Sequence, residues 1–267
     1  MTDSTGQDKL VGYAVVDGAA ILELRNAPAN CYSYAMMREL DEAILAARFD
    51  EDVHVIVLRG AGDKFFCAGA DIKMLDGVTP EYKYYFCLHA NETLSRLEHT
   101  PKLTIAALNG HCVGGGLEVA LACDLRVARR GAGKIGLPEV KLGVLPGTGG
   151  TQRLPRVLGK TRALEWMVTG RSATFEEALA EGLVTHVWDD ADFDARVLEY
   201  AHGFCPPHAA SEAVGLIKRS VQSGTEMSLQ DGLSLERELQ RRLFATRDAA
   251  EGIRAYVEKR APDFQGR

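Results

Sequence analysis

No C-x-x-C pair, no H-x-x-x-H spacing and no apolar run long enough to span a bilayer occurs in this chain, and each absence removes a class of function. Without the first two there is no compact zinc or redox motif. Without the third there is no transmembrane helix, so no membrane partner is expected. The opening stretch, Met1 to Leu10, is polar and has no apolar core of signal-peptide length, which gives a cytoplasmic address as the expectation unless a presequence has been removed. A basic excess is missing too. The net charge of −6 is opposite in sign to most nucleic-acid-binding surfaces. There is no G-x-S-x-G, and His111 beside Cys112 has no evident third member, so a protease-like triad is a poor reading. Gly147-Thr148-Gly149-Gly150 lacks the G-K-[ST] ending of a phosphate loop and reads as a structural turn. Gly114-Gly115-Gly116 lacks the spacing of a dinucleotide site, and His54 and His111 read as packed or hydrogen-bonded structural residues.

What is present is an ordinary globular composition, 46% hydrophobic and 25% charged, in 267 residues, enough to bury most of its apolar surface without disulfide staples. The six cysteines, Cys31, Cys67, Cys87, Cys112, Cys123 and Cys205, sit mostly inside apolar runs and read as free buried thiols of a reducing compartment.

Residues 12 to 25 read as a hairpin about Asp17-Gly18. Ser33 can cap a helix that buries Met36, Met37, Leu40, Ile44 and Ala47. Val53 to Leu58 reads as a strand buried on both faces and ended by Gly60. Lys64 to Met74 reads as a functional loop, 81 to 99 as a helix, 103 to 108 as a strand, and 125 to 128 as another. Strand and helix alternate, which predicts a parallel sheet with crossover helices. From Gly136 to Arg153 the chain reads as a buried turn system, and later segments are helical (161–168, 175–181, 193–201, 208–222, 228–246, 248–259) apart from a short strand at 184–187. The expected division is a core over residues 1–205 and a helical oligomerisation region over 206–267, with no Pro/Gly-rich linker between them.

The chain is organised about Leu108 to Glu118. An apolar strand enters it, three consecutive glycines let another molecule approach the main chain, and a helix leaves with unpaired N–H donors and its positive dipole end. Glu118 falls on the face of Gly115, and on this helix alone a catalytic carboxylate and a first-turn dipole partner are equally good readings. Glu139 lies after Pro138 in an apolar, turn-rich stretch where a charge is costly to bury, though it also suits the first turn of a short helix. Two such glutamates beside glycine-rich turns suit general acid and base work on one small molecule. Gly69 could turn the next N–H toward Gly115, while Asp71 is better explained as a helix cap.

Ala68-Gly69-Ala70-Asp71-Ile72-Lys73, Asn109-Gly110 through Glu118, Leu137-Pro138-Glu139 through Gly143, and Pro146-Gly147-Thr148-Gly149-Gly150 through Arg156 resemble, in order, the successive signatures of the crotonase (enoyl-CoA hydratase) superfamily. Asp248 to Gly252 and Tyr256 to Arg260 resemble that family's carboxy terminus. The resemblance implies an α/β crotonase spiral of ββα turns in two nearly perpendicular sheets, followed by a helical trimerisation region, with homo-oligomers that are trimers or dimers of trimers. It implies an oxyanion hole at the N–H groups of Ala70 and Gly115 and an acid/base pair at Glu118 and Glu139. It implies CoA contacts at Ala68, Asp71, Ile72 and Lys73, with Tyr256 and Lys259 closing over the ligand.

With both glutamates retained, the resemblance implies hydration of a 2-enoyl-CoA, with no cofactor or metal beyond the CoA of the acyl-CoA substrate. An enoyl-CoA isomerase or another crotonase-type lyase is the alternative, and a non-catalytic scaffold or RNA-associated protein a remote one. Asn26 to Tyr34 departs from the family's Asn-Ala-Leu-rich version and brings Tyr32 and Tyr34 near the expected path of the acyl tail or thioester. Branched or polar acyl groups such as 3-methylglutaconyl therefore stand beside crotonyl as candidates.

Overall fold

Asp17 and Gly18, with φ of 45° and 84°, form a two-residue turn whose twist matches that of the strands it joins. The computed structural model describes residues 9–266, so most of the polar opening stretch lies outside the described residues. Strands β1 (Val11–Val16) and β2 (Ala19–Leu24) pair antiparallel across this turn. Ser33 caps α1 (Tyr34–Phe49), its Oγ accepting from the Met36 N–H at 3.3 Å, and the predicted apolar stripe is buried.

Strand β3 (Val55–Gly60) lies parallel to β2 and includes the glycine expected to end it. A Cβ at Gly60 would overlap the carbonyl oxygens of Phe65 and Phe66, so glycine there lets the chain fold straight back over the strand end. That returning segment is β4 (Phe65–Cys67), followed by α2 (Ile72–Leu75) and α3 (Pro80–Glu98). Next come β5 (Leu103–Leu108), β6 (His111–Val113), α4 (Gly115–Leu121), β7 (Leu125–Arg129) and β8 (Lys134–Gly136). A single 3-10 turn, Glu139–Leu142, precedes α5 (Gly150–Leu158) and α6 (Lys160–Thr169). The chain continues through β9 (Ser172–Thr174), α7 (Phe175–Ala180), β10 (His186–Trp188) and α8 (Phe193–His202). It closes with α9 (Ser211–Gly224), α10 (Leu229–Leu243) and α11 (Arg247–Glu258).

Two sheets result. The larger runs β1-β2-β3-β5-β7-β10 and is parallel from β2 onward, as the alternation of strand and helix predicts. Its central strands are buried on both faces: Ile56 and Leu58 enter the main core, while Val55 and Val57 pack with Ile105, Val127 and Phe193. The smaller sheet, β4-β6-β8-β9, is built of three-residue strands, parallel except for β9. Strands so short carry no readable alternation. β4 and β6 lie in segments expected to be a functional loop and a glycine turn, β8 ends where the expected turn system starts at Gly136, and β9 falls between the helices expected at 161–168 and 175–181; α5 begins inside the expected turn system, at Gly150. The strand expected at 184–187 falls at His186–Trp188, and the helix expected from 208 begins at Ser211.

The terminal helices dock on the larger sheet through a buried ion pair. Lys218 Nζ of α9 lies 2.8 Å from Asp124 and donates to the Lys102 carbonyl at 3.0 Å. Asp124 also accepts from the Thr104 N–H, the Thr104 hydroxyl and Gln222 Nε2. All six cysteines are free thiols, four of them buried. His54 pairs with Ser211, and His111 accepts from the Lys134 N–H, as expected of structural histidines. Among the described residues no helix is long and apolar enough to cross a membrane, and no cluster of three His, Cys, Asp or Glu side chains is placed to hold a metal ion.

Candidate active site

The site forms where β4 and β6 of the smaller sheet meet α4. Asn109, at the end of β5, fixes the approach by donating to the Gly60 and Gly62 carbonyls and accepting from the Gly60 N–H. After β6 the chain reverses at Gly114, whose φ of 57° and ψ of −136° suit only glycine. Helix α4 begins at the next residue. A Cβ on Gly115 would overlap the Tyr32 ring and hydroxyl, and one on Gly116 would overlap the Cys67 carbonyl. The triplet is thus required by close approach on two sides, beyond the turn itself.

The loop after β4 faces this helix start. A Cβ on Gly69 would stand 2.8 Å from the Gly115 nitrogen. Tyr32 N–H donates to the Gly69 carbonyl at 2.9 Å and the Asp71 N–H donates to the Tyr32 carbonyl at 3.0 Å. Because neighbouring peptide groups of an extended chain point to opposite edges, the N–H of Ala70 itself turns away from Tyr32, and Ala70 lines the adjoining cavity. Among the described residues neither Ala70 N–H nor Gly115 N–H has an acceptor. Two free backbone donors therefore flank a cavity of about 330 Å³.

Glu118 and Glu139 both line that cavity. Glu118 is 2% exposed, and its Oε1 accepts from the Thr148 N–H and the Gly150 N–H, each at 2.7 Å. Burial raises its pKa, opposed by those donors, by the Thr148 side chain and by Lys83. The 3-10 turn carries Glu139, as the first-turn reading anticipated, with one oxygen close to Gly114. Its Oε2 is buried and has no hydrogen-bond partner among the described residues. Burial, with the charge of Glu118 as a further raising cause, pushes Glu139 up to about 7, against a partial counter-pull from its own backbone N–H and Lys83. An orphaned buried carboxyl beside two free N–H groups is the kind of polar arrangement that structural packing alone does not explain.

The remaining expected residues divide. Ala68 and Ile72 line the cavity. Asp71 caps α2, accepting from the Lys73 N–H at 2.9 Å, and neither Asp71 nor Lys73 lines the cavity. Tyr256 and Lys259, exposed at the end of α11, are not among the lining residues either. Of the two tyrosines, Tyr32 lines the cavity, while Tyr34 begins α1, packs its ring at a tilt against His89 and is not among the lining residues.

Thr148, Gly147 and Lys83 are among the lining residues that escaped the sequence. Thr148 belongs to the turn that resembles a phosphate loop; its backbone does receive an anion, but the anion is Glu118. Gly147 lines the cavity beside Thr148. Lys83 lies 5.2 Å from the Phe86 ring centroid and has no ion-pair partner among the described residues. Its signal was a lone cation in an aromatic run, Tyr82 to Phe86.

A model of the enoyl-CoA hydratase/isomerase family matches residues 16–267. Human mitochondrial methylglutaconyl-CoA hydratase is 36% identical over 241 residues, spanning 89% of this chain and 70% of that protein. The crystal structure of an enoyl-CoA hydratase from Geobacillus kaustophilus HTA426 superposes with a TM-score of 0.94 at 45% identity, covering 98% of each chain. One from Bacillus anthracis superposes at 0.90 with 34% identity, covering 97% of this chain and all (100%) of that one. The crotonase fold implied by the motifs is the fold found.

Proposed function

The chain belongs to the enoyl-CoA hydratase/isomerase family, and from that premise we propose that it adds water reversibly across the α,β double bond of a 2-enoyl-CoA to give the 3-hydroxyacyl-CoA. The observation that carries the reading is the pairing, in one cavity, of a donor-held carboxylate at Glu118 with a carboxyl pushed to about 7 at Glu139. Environments that differ in this way suit a base and an acid working together.

In the proposed mechanism the thioester oxygen accepts from the Ala70 and Gly115 N–H groups, which stabilise the enolate formed as water reaches the β-carbon. One such donor is worth roughly 3 kcal/mol in the transition state. Glu118 orients the water and takes its proton. Glu139 gives a proton to the α-carbon, and each transfer contributes on the order of 100- to 10,000-fold. Double-bond migration in the same site is the second reading, because an enolate protonated at another carbon needs only one of the two carboxyls.

The cavity walls are mostly apolar, which suits a short acyl group, but Lys83 favours one bearing a distal carboxylate, such as 3-methylglutaconyl. Lys73, close to the loop end of the cavity, is assigned to the CoA phosphates. Exposed Leu229, Phe244, Tyr256 and Val257 on the terminal helices support a homo-oligomer, a trimer or dimer of trimers, in which α11 of a neighbour reaches the ligand. Six free thiols support a reducing, cytoplasmic setting.

The test is product analysis with crotonyl-, longer 2-enoyl- and 3-methylglutaconyl-CoA. Gain of one water is expected. A shifted double bond without added water would replace hydration by isomerisation, and inertness on every thioester would leave a non-catalytic role.

A further inference from the structure

Tyr32 touches the Ala68–Asp71 loop, the start of α4 and the Thr148 turn. Its backbone pairs with the Ala68–Asp71 loop on both sides of Ala70. Its ring occupies the space where a Cβ of Gly115 would stand and stacks on Phe86, centroids 5.9 Å apart. Its hydroxyl lies 3.0 Å from Thr148 Oγ1 in a buried contact, and the Thr148 N–H in turn donates to Glu118 Oε1 at 2.7 Å.

We propose that Tyr32 is a positioning residue: its hydroxyl anchors the Thr148 side chain and with it the Thr148 N–H that holds Glu118, and its ring and backbone hold the two oxyanion donors at a fixed separation. The proposal rests on the reading of Glu118 as the base that orients water.

Either hydroxyl can donate in the Tyr32–Thr148 contact. Burial and the nearby Glu118 charge raise the tyrosine pKa, so the phenol keeps its proton and remains able to donate throughout the working pH range. The ionisable groups around Tyr32 are Glu118, Cys67 of β4 and Cys87 of α3, and those around Glu118 are Tyr32, Lys83 of α3 and Glu139 of the 3-10 turn. Lys83 favours the charged carboxylate and Glu139 opposes it. Removing the phenol hydroxyl changes neither.

Tyr32→Phe keeps the ring against Gly115 and removes only the hydroxyl. Hydration of crotonyl-CoA is measured across pH for the wild type, Tyr32→Phe, Thr148→Val, Thr148→Ser, the Tyr32→Phe/Thr148→Val pair and Glu118→Gln. Tyr32→Phe should lower kcat by about tenfold with KM nearly unchanged, and should move the acid limb of the kcat profile to higher pH by about half a unit or more. Thr148→Val should act in the same way, the pair no more than either alone, and Thr148→Ser should restore most of the activity. A wild-type kcat and acid limb in Tyr32→Phe overturns the proposal, and so do effects of Tyr32→Phe and Thr148→Val that multiply. If Glu118→Gln hydrates normally, the base assignment itself fails and the proposal with it. If Glu118→Gln is inactive while Tyr32→Phe is unaltered, the base assignment stands and only the coupling fails.

Discussion

The backbone N–H of Gly150 donates to Glu118 Oε1 at 2.7 Å across 32 residues of sequence. The Thr148 N–H joins it on the same oxygen, so two fixed donors partly offset the burial that raises the Glu118 pKa. Glu139, in the same cavity, has a buried oxygen with no hydrogen-bond partner among the described residues and faces the Glu118 charge. The two carboxyls thus differ in the donors that hold them.

The two directions of reaction should share one dependence on pH. Hydration starts with the proton on Glu139 and Glu118 charged, dehydration with the proton on Glu118 and Glu139 charged, so each direction needs the pair to hold one proton. Glu139 titrates at about 7. The kcat/KM values for hydration of crotonyl-CoA and for dehydration of 3-hydroxybutyryl-CoA should therefore decline together as pH rises through 7. Initial rates in both directions from about pH 5 to 9 test this. A hydration profile that stays flat through pH 7 would remove Glu139 from the proton transfer.

Glu139→Gln should leave KM nearly unchanged and lower turnover by roughly 100- to 10,000-fold. It should also change stability in a pH-dependent way. The folded pKa of about 7 lies above the ordinary 4.5, so wild-type Glu139 contributes stability at low pH that is lost between these values. Gln carries no such dependence. The variant's thermal midpoint should pull ahead of the wild type as pH rises from 4.5 to 7, then keep a constant lead. A constant gap across the whole range would contradict the assigned environment.

Lys83→Met should discriminate between acyl groups. A buried carboxylate that loses its ammonium partner typically forfeits a factor of about ten or more. The ratio of kcat/KM for 3-methylglutaconyl-CoA to that for crotonyl-CoA should fall by that amount, with crotonyl-CoA turnover reduced only slightly. An unchanged ratio would assign Lys83 to the charge balance of the two glutamates alone.

Lys218→Met should leave Asp124 with its amide, hydroxyl and Gln222 donors but without its ion-pair partner. Breaking one side of a buried pair generally costs about 3–5 kcal/mol. Urea unfolding should register that loss, while KM for the folded enzyme stays near the wild-type value.

Long elements were legible because their signals are periodic or local. The Asp17-Gly18 turn, the Ser33 cap and the two-faced burial of Val55 to Leu58 each depend on a few adjacent residues. The four strands of the smaller sheet were not legible, since three residues cannot display a period of two. Glu118, Glu139, Ala70 and Gly115 were identified through glycine-rich turns and resemblance together, and the structure brings all four to one cavity. Thr148 and Lys83 were missed for a different reason. Their relevance exists only through contacts with Glu118 and the cavity, and a tertiary contact leaves no mark on the flanking sequence.

Viewed as a receptor, the Thr148–Gly150 turn is a carboxylate-binding site whose ligand is a side chain of the same protein, present at the effective concentration that covalent attachment provides. Glu118→Ala would empty the receptor without altering its two donors. Formate or acetate supplied in solution should then enter the vacant place and restore part of the hydratase activity, with a saturable dependence on the anion, whereas chloride should not. The turn would thus reveal itself as an anion site through the enzyme's rescue by a detached copy of its own functional group.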